Sequence, residues 1–139
     1  YKAVLLGLLA GVLTSLCTVL VLSYIMKLSH EDYVTLLPKS ITTAIGMGVS
    51  EELGGYVTIT VAVIVVTGVI GNMLGEVICK VFKIHEPISK GLALGCSAHA
   101  IGTAKALEMG EIEGAMSGLA IAVSGILTVA LAPVFANFL

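Results

Sequence analysis

The chain has 139 residues, 58% hydrophobic and only 12% charged, with a mean hydropathy of +1.10. Soluble domains average about 25% charged residues, so this is the composition of one membrane-embedded unit, residues 1–139 forming a single domain. A net charge of −2 leaves no electrostatic footprint for nucleic acid. All seven basic residues are lysines, so no guanidinium is available to clamp a carboxylate or phosphate bidentately.

The first element in chain order is residues 3–26, uncharged and about 36 Å long as a helix, enough to span a bilayer. A signal peptide would have an apolar core of only about 7–15 residues followed by a cleavage context, which is not seen here. Residues 36–50 come next, a segment of about 15 small and apolar residues, too short for an ordinary crossing. Residues 55–79 form a second span rich in Val and Ile, with Asn72 and Glu76 near its far end. Residues 91–107 form a second short segment, and residues 114–138 a third span, expected to break late at Pro133. Irregular backbone at membrane depth survives only inside protein or beside a cavity, so both short segments are expected to face inward. The expected fold is therefore an all-α integral membrane protein of three full transmembrane helices plus two re-entrant or broken helical segments. Full crossings by the two short segments are the alternative.

The two short segments share a pattern. Ala44-Ile45-Gly46 precedes Glu52-Leu53-Gly54, and Ala100-Ile101-Gly102 precedes Glu108-Met109-Gly110. Gly46 and Gly102, Gly54 and Gly110, and Lys27 and Lys83 each lie 56 positions apart. This predicts an inverted repeat with units at about 27–79 and 83–138. Lys80, Lys83 and Lys90 cluster after the second span, which the positive-inside rule places in the cytoplasm together with Lys2. The two broken segments then enter from opposite sides, as paired discontinuous helices do around a transporter's binding site.

Two groups of residues are candidates for chemistry. Lys39, Ser40, Thr42 and Thr43 follow Pro38, which suits a first helical turn with free N–H groups beyond it. They form a cradle for a small anion or, equally, a capped helix start with a snorkelling lysine. Ser97, His99, Gly102, Thr103 and Lys105 form the second group. An intramembrane His or Lys is a functional hypothesis by default; the bland reading is a His bonded to a carbonyl, with Lys105 and Glu108 as an interfacial pair. His99 and Glu108 are the candidates for proton coupling, because histidine and carboxylate side chains can carry protons within the membrane. Glu51, Glu52 and Glu108 otherwise read as solvated segment ends, and Asn72 as an interhelical hydrogen-bond donor. His30-Glu31-Asp32 and His85 read as solvated loops. Gly71/Gly75, Gly91/Gly95 and Gly114/Gly118 have the spacing of close helix contacts.

Cys17, Cys79 and Cys96 are odd in number and far apart, so they read as buried hydrophobes rather than disulfides. His30, His85 and His99 have no ligand spacing, so neither a metal nor a cofactor is expected. Ser97 and His99 point about 200° apart on one helix and cannot form a nucleophile–base pair, which argues against an intramembrane hydrolase.

Leu37-Pro38-Lys39-Ser40-Ile41-Thr42-Thr43, Gly91-Leu92-Ala93-Leu94-Gly95, Ser97-Ala98-His99-Ala100-Ile101-Gly102-Thr103-Ala104-Lys105-Ala106 and Glu111-Ile112-Glu113-Gly114-Ala115-Met116-Ser117 together resemble the LrgB/CidB family. The resemblance covers nearly the whole chain and corresponds to about the C-terminal three-fifths of a typical member. With Tyr rather than Met at position 1, the chain is expected to be part of a longer protein. Bacterial members are described as antiholin- or holin-like, tied to murein hydrolase export and lysis, and usually act beside a small LrgA/CidA-type membrane partner. A plant plastid glycolate/glycerate translocator in the family implies transport of small monocarboxylates such as glycolate, glycerate, lactate or pyruvate.

The leading expectation is an alternating-access, ion- or proton-coupled carrier of small monocarboxylates, a homo-oligomer in a bacterial inner membrane. Substrate would lie between the Lys39–Thr43 and Ser97–Lys105 segments. The alternative is a holin- or antiholin-like pore or regulator of lysis.

Overall fold

The computed structural model describes residues 2–138, and among them it contains six helices and no strand. Three helices are long and apolar enough to cross a membrane: α1 (Lys2–Met26), α4 (Val57–Val81) and α6 (Glu111–Ala136). Their outer faces carry exposed aliphatic side chains, among them Leu6, Val66, Ile70, Val77 and Ile126, an arrangement suited to lipid rather than water. The third span does not break at Pro133. α6 continues to Ala136, three residues beyond it, because a proline removes only its own N–H bond to the carbonyl four residues back and leaves the rest of the ladder in place.

The two short segments take different forms. The first is split: α2 (His30–Leu36) and α3 (Thr43–Leu53) flank a turn at residues 37–42. His30, Glu31 and Asp32 thus open a helix and are not a loop, because Ser29 caps the Asp32 N–H at 3.2 Å and two carboxylates favour the first turn. The second segment is one long element, α5 (Pro87–Met109), broken at His99, where φ is 45° and ψ is −137°. Such a backbone is rare for a side-chain-bearing residue and costs about 1–3 kcal/mol.

Matching chain reversals end α1 and α4. Lys27 and Lys83 adopt positive φ of 54° and 56°, and the residues after them bond back to Ser23 and Cys79 (Leu28 N–H at 3.0 Å, Ile84 N–H at 2.8 Å). These are Schellman-type caps without the customary glycine, and they lie 56 positions apart, like the Gly46/Gly102 pair.

Small residues set the distances between helices. A Cβ at Gly71 or Gly75 of α4 would strike Ala98 or Leu94 of α5; one at Gly91 or Gly95 would strike the backbone of Glu113 or Ser117 on α6. Gly114 is closed in by Leu107, whereas Gly118 faces open space. The three candidate pairs are thus contact glycines at every position but Gly118. α1 lies against this core through Leu8, Val12, Leu16 and Val19. Val12, Leu16 and Val19 join Tyr33, Val34, Leu37 and Phe135 in the largest apolar cluster. Tyr33 Oη donates to the Phe135 carbonyl at 2.6 Å, which the Phe138 N–H also meets at 3.1 Å, so the phenol ties α2 to the end of α6. α1 and α5 are parallel, since Gly7 meets Leu92 and Gly11 meets Cys96.

Candidate functional site

Lys39 sits in the α2–α3 turn and not on a helix N-terminus. The turn extends α2 through the Lys39 N–H bond to the Leu36 carbonyl, and α3 starts only at Thr43. The reason is side-chain burial: Leu37, Pro38 and Ile41 are all buried, pulling the turn into the protein before the helix can begin. Thr42 is the N-cap of α3 but makes no side-chain capping bond, and Thr43 is its first residue.

The turn presents Lys39 Nζ to two hydroxyls. Nζ donates to Ser40 Oγ at 3.0 Å and to Ser15 Oγ of α1 at 3.4 Å, and Ser15 donates to Ser40 at 3.1 Å. Among the described residues no carboxylate pairs with this ammonium. It lines a cavity of about 560 Å³ between α1, the turn and the first half of α5, reached also by Thr14, Thr18 and Ser97.

The second group is divided. His99 is buried, and its Nε2 lies 2.8 Å from the Ile64 carbonyl of α4, a hydrogen bond when Nε2 carries the proton. The ring fits there because Gly68 has no side chain: a Cβ would approach His99 Cε1 to 2.8 Å. Thr103 Oγ1 donates to the His99 carbonyl at 3.0 Å and shares a 2.7 Å bond with Ser117 Oγ of α6. Asn72 Nδ2 donates to the Ile101 carbonyl at 2.8 Å, an α4–α5 hydrogen bond. Gly102 is closed in by Ala98 and the Leu94 carbonyl. Polar side chains thus satisfy the backbone around the break, as a discontinuous helix requires.

Lys105 lies apart from both, paired with Glu76 of α4 at 3.3 Å and Glu108 at 3.6 Å. Of the nine expected binding residues, then, only Lys39, Ser40 and Ser97 line one cavity. Thr42 and Thr43 begin α3, His99, Gly102 and Thr103 hold the break, and Lys105 is in an ion-pair cluster; the nine do not converge on one point. The α1 hydroxyls of Thr14, Ser15 and Thr18 complete the cavity and escaped notice within a uniformly apolar span. The available signal was the spacing of Ala3, Gly7, Gly11, Thr14 and Thr18 at three- or four-residue steps. Cys17, Cys79 and Cys96 are free, and no cluster of metal-ligating side chains occurs among the described residues.

Three lipid-suited helices packed around buried hydroxyls and one buried histidine define a multi-pass membrane protein. The chain belongs to the LrgB-like family, whose model matches residues 1–138. It is 42% identical over 128 residues to the antiholin-like protein LrgB of Bacillus subtilis (strain 168), covering 90% of this chain and 55% of that protein. It is 40% identical over 133 residues to the protein of the same name from Bacillus cereus (strain B4264), covering 94% of this chain and 58% of the relative. The chain therefore spans a little over half the length of these relatives. No solved structure matches it.

Proposed function

We propose that this chain is part of the membrane-embedded core of an antiholin-like protein, a regulator of murein hydrolase export and lysis. The name carried by its Bacillus relatives supports this reading. It entails a small LrgA-like membrane partner and self-association, with the remaining length of the relatives supplying further helices. The test is complementation: in Bacillus subtilis lacking its own LrgB, the full-length protein restores slow autolysis and low hydrolase release. Unchanged autolysis in a strain that inserts the protein normally would sink the reading.

A specific observation favours a second reading, transport of small monocarboxylates such as lactate or glycolate. Among the described residues Lys39 has hydroxyls but no carboxylate around its ammonium, and an uncompensated lysine in the membrane costs about 2.5–3.5 kcal/mol on the lenient insertion scale. A bound carboxylate would offset that cost. In this reading Lys39 supplies the charge and Ser40 and Ser97 the hydrogen bonds. Thr42 and Thr43 adjust the turn, and Gly102, Thr103 and Lys105 hold the broken α5. His99 and Glu108 remain the groups through which a proton could couple. The 56-residue offset between the Lys27 and Lys83 caps supports two inverted units, residues 27–79 and 83–138, whose short segments are re-entrant and rock against each other. Uptake of labelled lactate into proteoliposomes tests it: saturable uptake lost in Lys39→Ala is expected, and non-selective leakage indifferent to that change favours a pore.

A further inference from the structure

The sequence of α1 is an uncharged run long enough to span, yet one of its faces carries hydroxyls. Thr14, Ser15 and Thr18 line the same cavity as Lys39, Ser40 and Ser97. We propose that α1 forms one wall of an anion passage, in which the hydroxyls of Thr14, Ser15 and Thr18 and the Lys39 ammonium receive a small monoanion. The proposal deepens the anion reading of the Lys39 site and rests on it.

Three observations carry it. The cavity runs along α1 from Ala3 to Thr18, about 22 Å at the helical rise, and so reaches well into the membrane from the end where Lys2 lies. Its width is set by the parallel contact of α1 with the first half of α5: Gly11 lies so close to Cys96 that a Cβ would stand 3.2 Å from its Cβ and Sγ. The α5 wall reaches Ser97, two residues before the His99 break, and at that depth Lys39 meets Ser15 inside the cavity.

The charge distribution selects the occupant. Among the described residues Lys39 is the one charged residue lining this cavity, and its partners Ser15 and Ser40 are hydroxyls that can turn their protons toward an acceptor. Lys105 has no such role, because Glu76 and Glu108 already neutralise it. A single cation ringed by hydroxyls matches one negative charge with further hydrogen-bonding atoms, whether an organic carboxylate or an inorganic monoanion.

Charged thiol reagents test the wall without depending on transport. The intact protein is reconstituted with Cys17, Cys79 and Cys96 replaced by Ala, and Thr18→Cys is exposed to anionic sulfonatoethyl and cationic trimethylammonioethyl methanethiosulfonate. Relative to a free thiol, the anionic reagent is expected to be favoured about tenfold. Lys39→Ala, or Lys39→Met where the alanine variant does not reconstitute, should erase the preference, and Lys39→Arg should keep it. Leu6→Cys, on an exposed aliphatic position of α1, should react with neither. No reaction at either Thr18→Cys or Thr14→Cys, equal rates for the two reagents, or a preference that survives loss of Lys39 would each overturn the proposal. Protection of Thr18→Cys by lactate but not chloride identifies a carboxylate, and protection by both a less selective site. A charge preference in protein that shows no saturable lactate uptake leaves the anion wall standing and removes the carrier reading.

Discussion

At the scale of single residues, the surroundings of His99 show how a costly backbone is kept. The strained φ of 45° persists because its ring, its carbonyl and the carbonyl two residues later are each bonded to another helix or a neighbouring side chain. Gly68→Ala would drive a methyl into the imidazole and should destabilise the protein by about 1–3 kcal/mol, the usual range for overpacking. Gly118→Ala, facing open space, should be neutral or stabilising by about 0.5–1 kcal/mol from helix propensity. Denaturant titration in detergent followed by circular dichroism checks the contrast, and equal effects would show that the ring is not held as described. Thr103 and Ser117 give a second ordering. Thr103→Val strands both the His99 carbonyl and the Ser117 hydroxyl, for about 1–3 kcal/mol. Ser117→Ala leaves Thr103 its bond to His99 and should cost less.

At the scale of elements, the second half of α5 is tied to α4 by the Glu76–Lys105–Glu108 cluster. Lys105 is mostly buried (side chain 21% exposed), whereas Glu108 is largely solvated (72%). An exposed pair contributes about 0–1 kcal/mol, so Glu108→Gln should change thermal stability in detergent little. Glu76→Gln removes the partner that joins two helices and should cost more. A larger loss from Glu108→Gln would show that the within-helix pair, not the crossing pair, carries the contact. The α2–α4 region is joined differently, by hydroxyls: Thr60 Oγ1 lies 2.8 Å from the Thr35 carbonyl and 2.7 Å from Ser50 Oγ, and the Tyr56 N–H reaches Thr35 Oγ1 at 2.8 Å. Gly55 leaves room for this cluster, since a Cβ there would come within 2.6 Å of Ser50 Oγ.

At the scale of the whole molecule, the parallel α1 and α5 begin on one side. The positive-inside rule predicts that this side is cytoplasmic, together with the loop holding Lys80, Lys83 and Lys90. In oriented vesicles, Ser89→Cys in a background lacking the native cysteines should therefore be labelled by an impermeant reagent from the cytoplasmic face, and Glu52→Cys from the opposite face. Labelling of both from one face would contradict the orientation and the inverted arrangement with it. The division of labour is also visible at this scale: charge pairs lie at the α4–α5 end, hydrogen-bonded polar groups at the α5 break, and the hydroxyl-bound ammonium of Lys39 in the α1 cavity.

Long-range hydropathy determined the three spans, and the sequence alone placed them within two or three residues of their ends, because an apolar run long enough to cross has few other uses. The contact glycines were legible for a similar reason, small side chains being local facts of composition, whereas the two segments expected to be short became a split α2–α3 pair and a 23-residue α5 broken at His99. Tertiary structure decided what the polar residues do. Lys39 and Lys105 look equivalent in the sequence, each a lysine in an apolar segment beside Ser or Thr. Only the fold reveals that one is met by Glu76, 29 positions away, and the other by Ser15 and Ser40. The polar face of α1 was hidden because three hydroxyls scarcely alter the hydropathy of a span, and they matter only through the turn set opposite them. Whether a buried charge is neutralised or left for a ligand depends on which residues the fold brings within about 4 Å, and no local pattern encodes that distance.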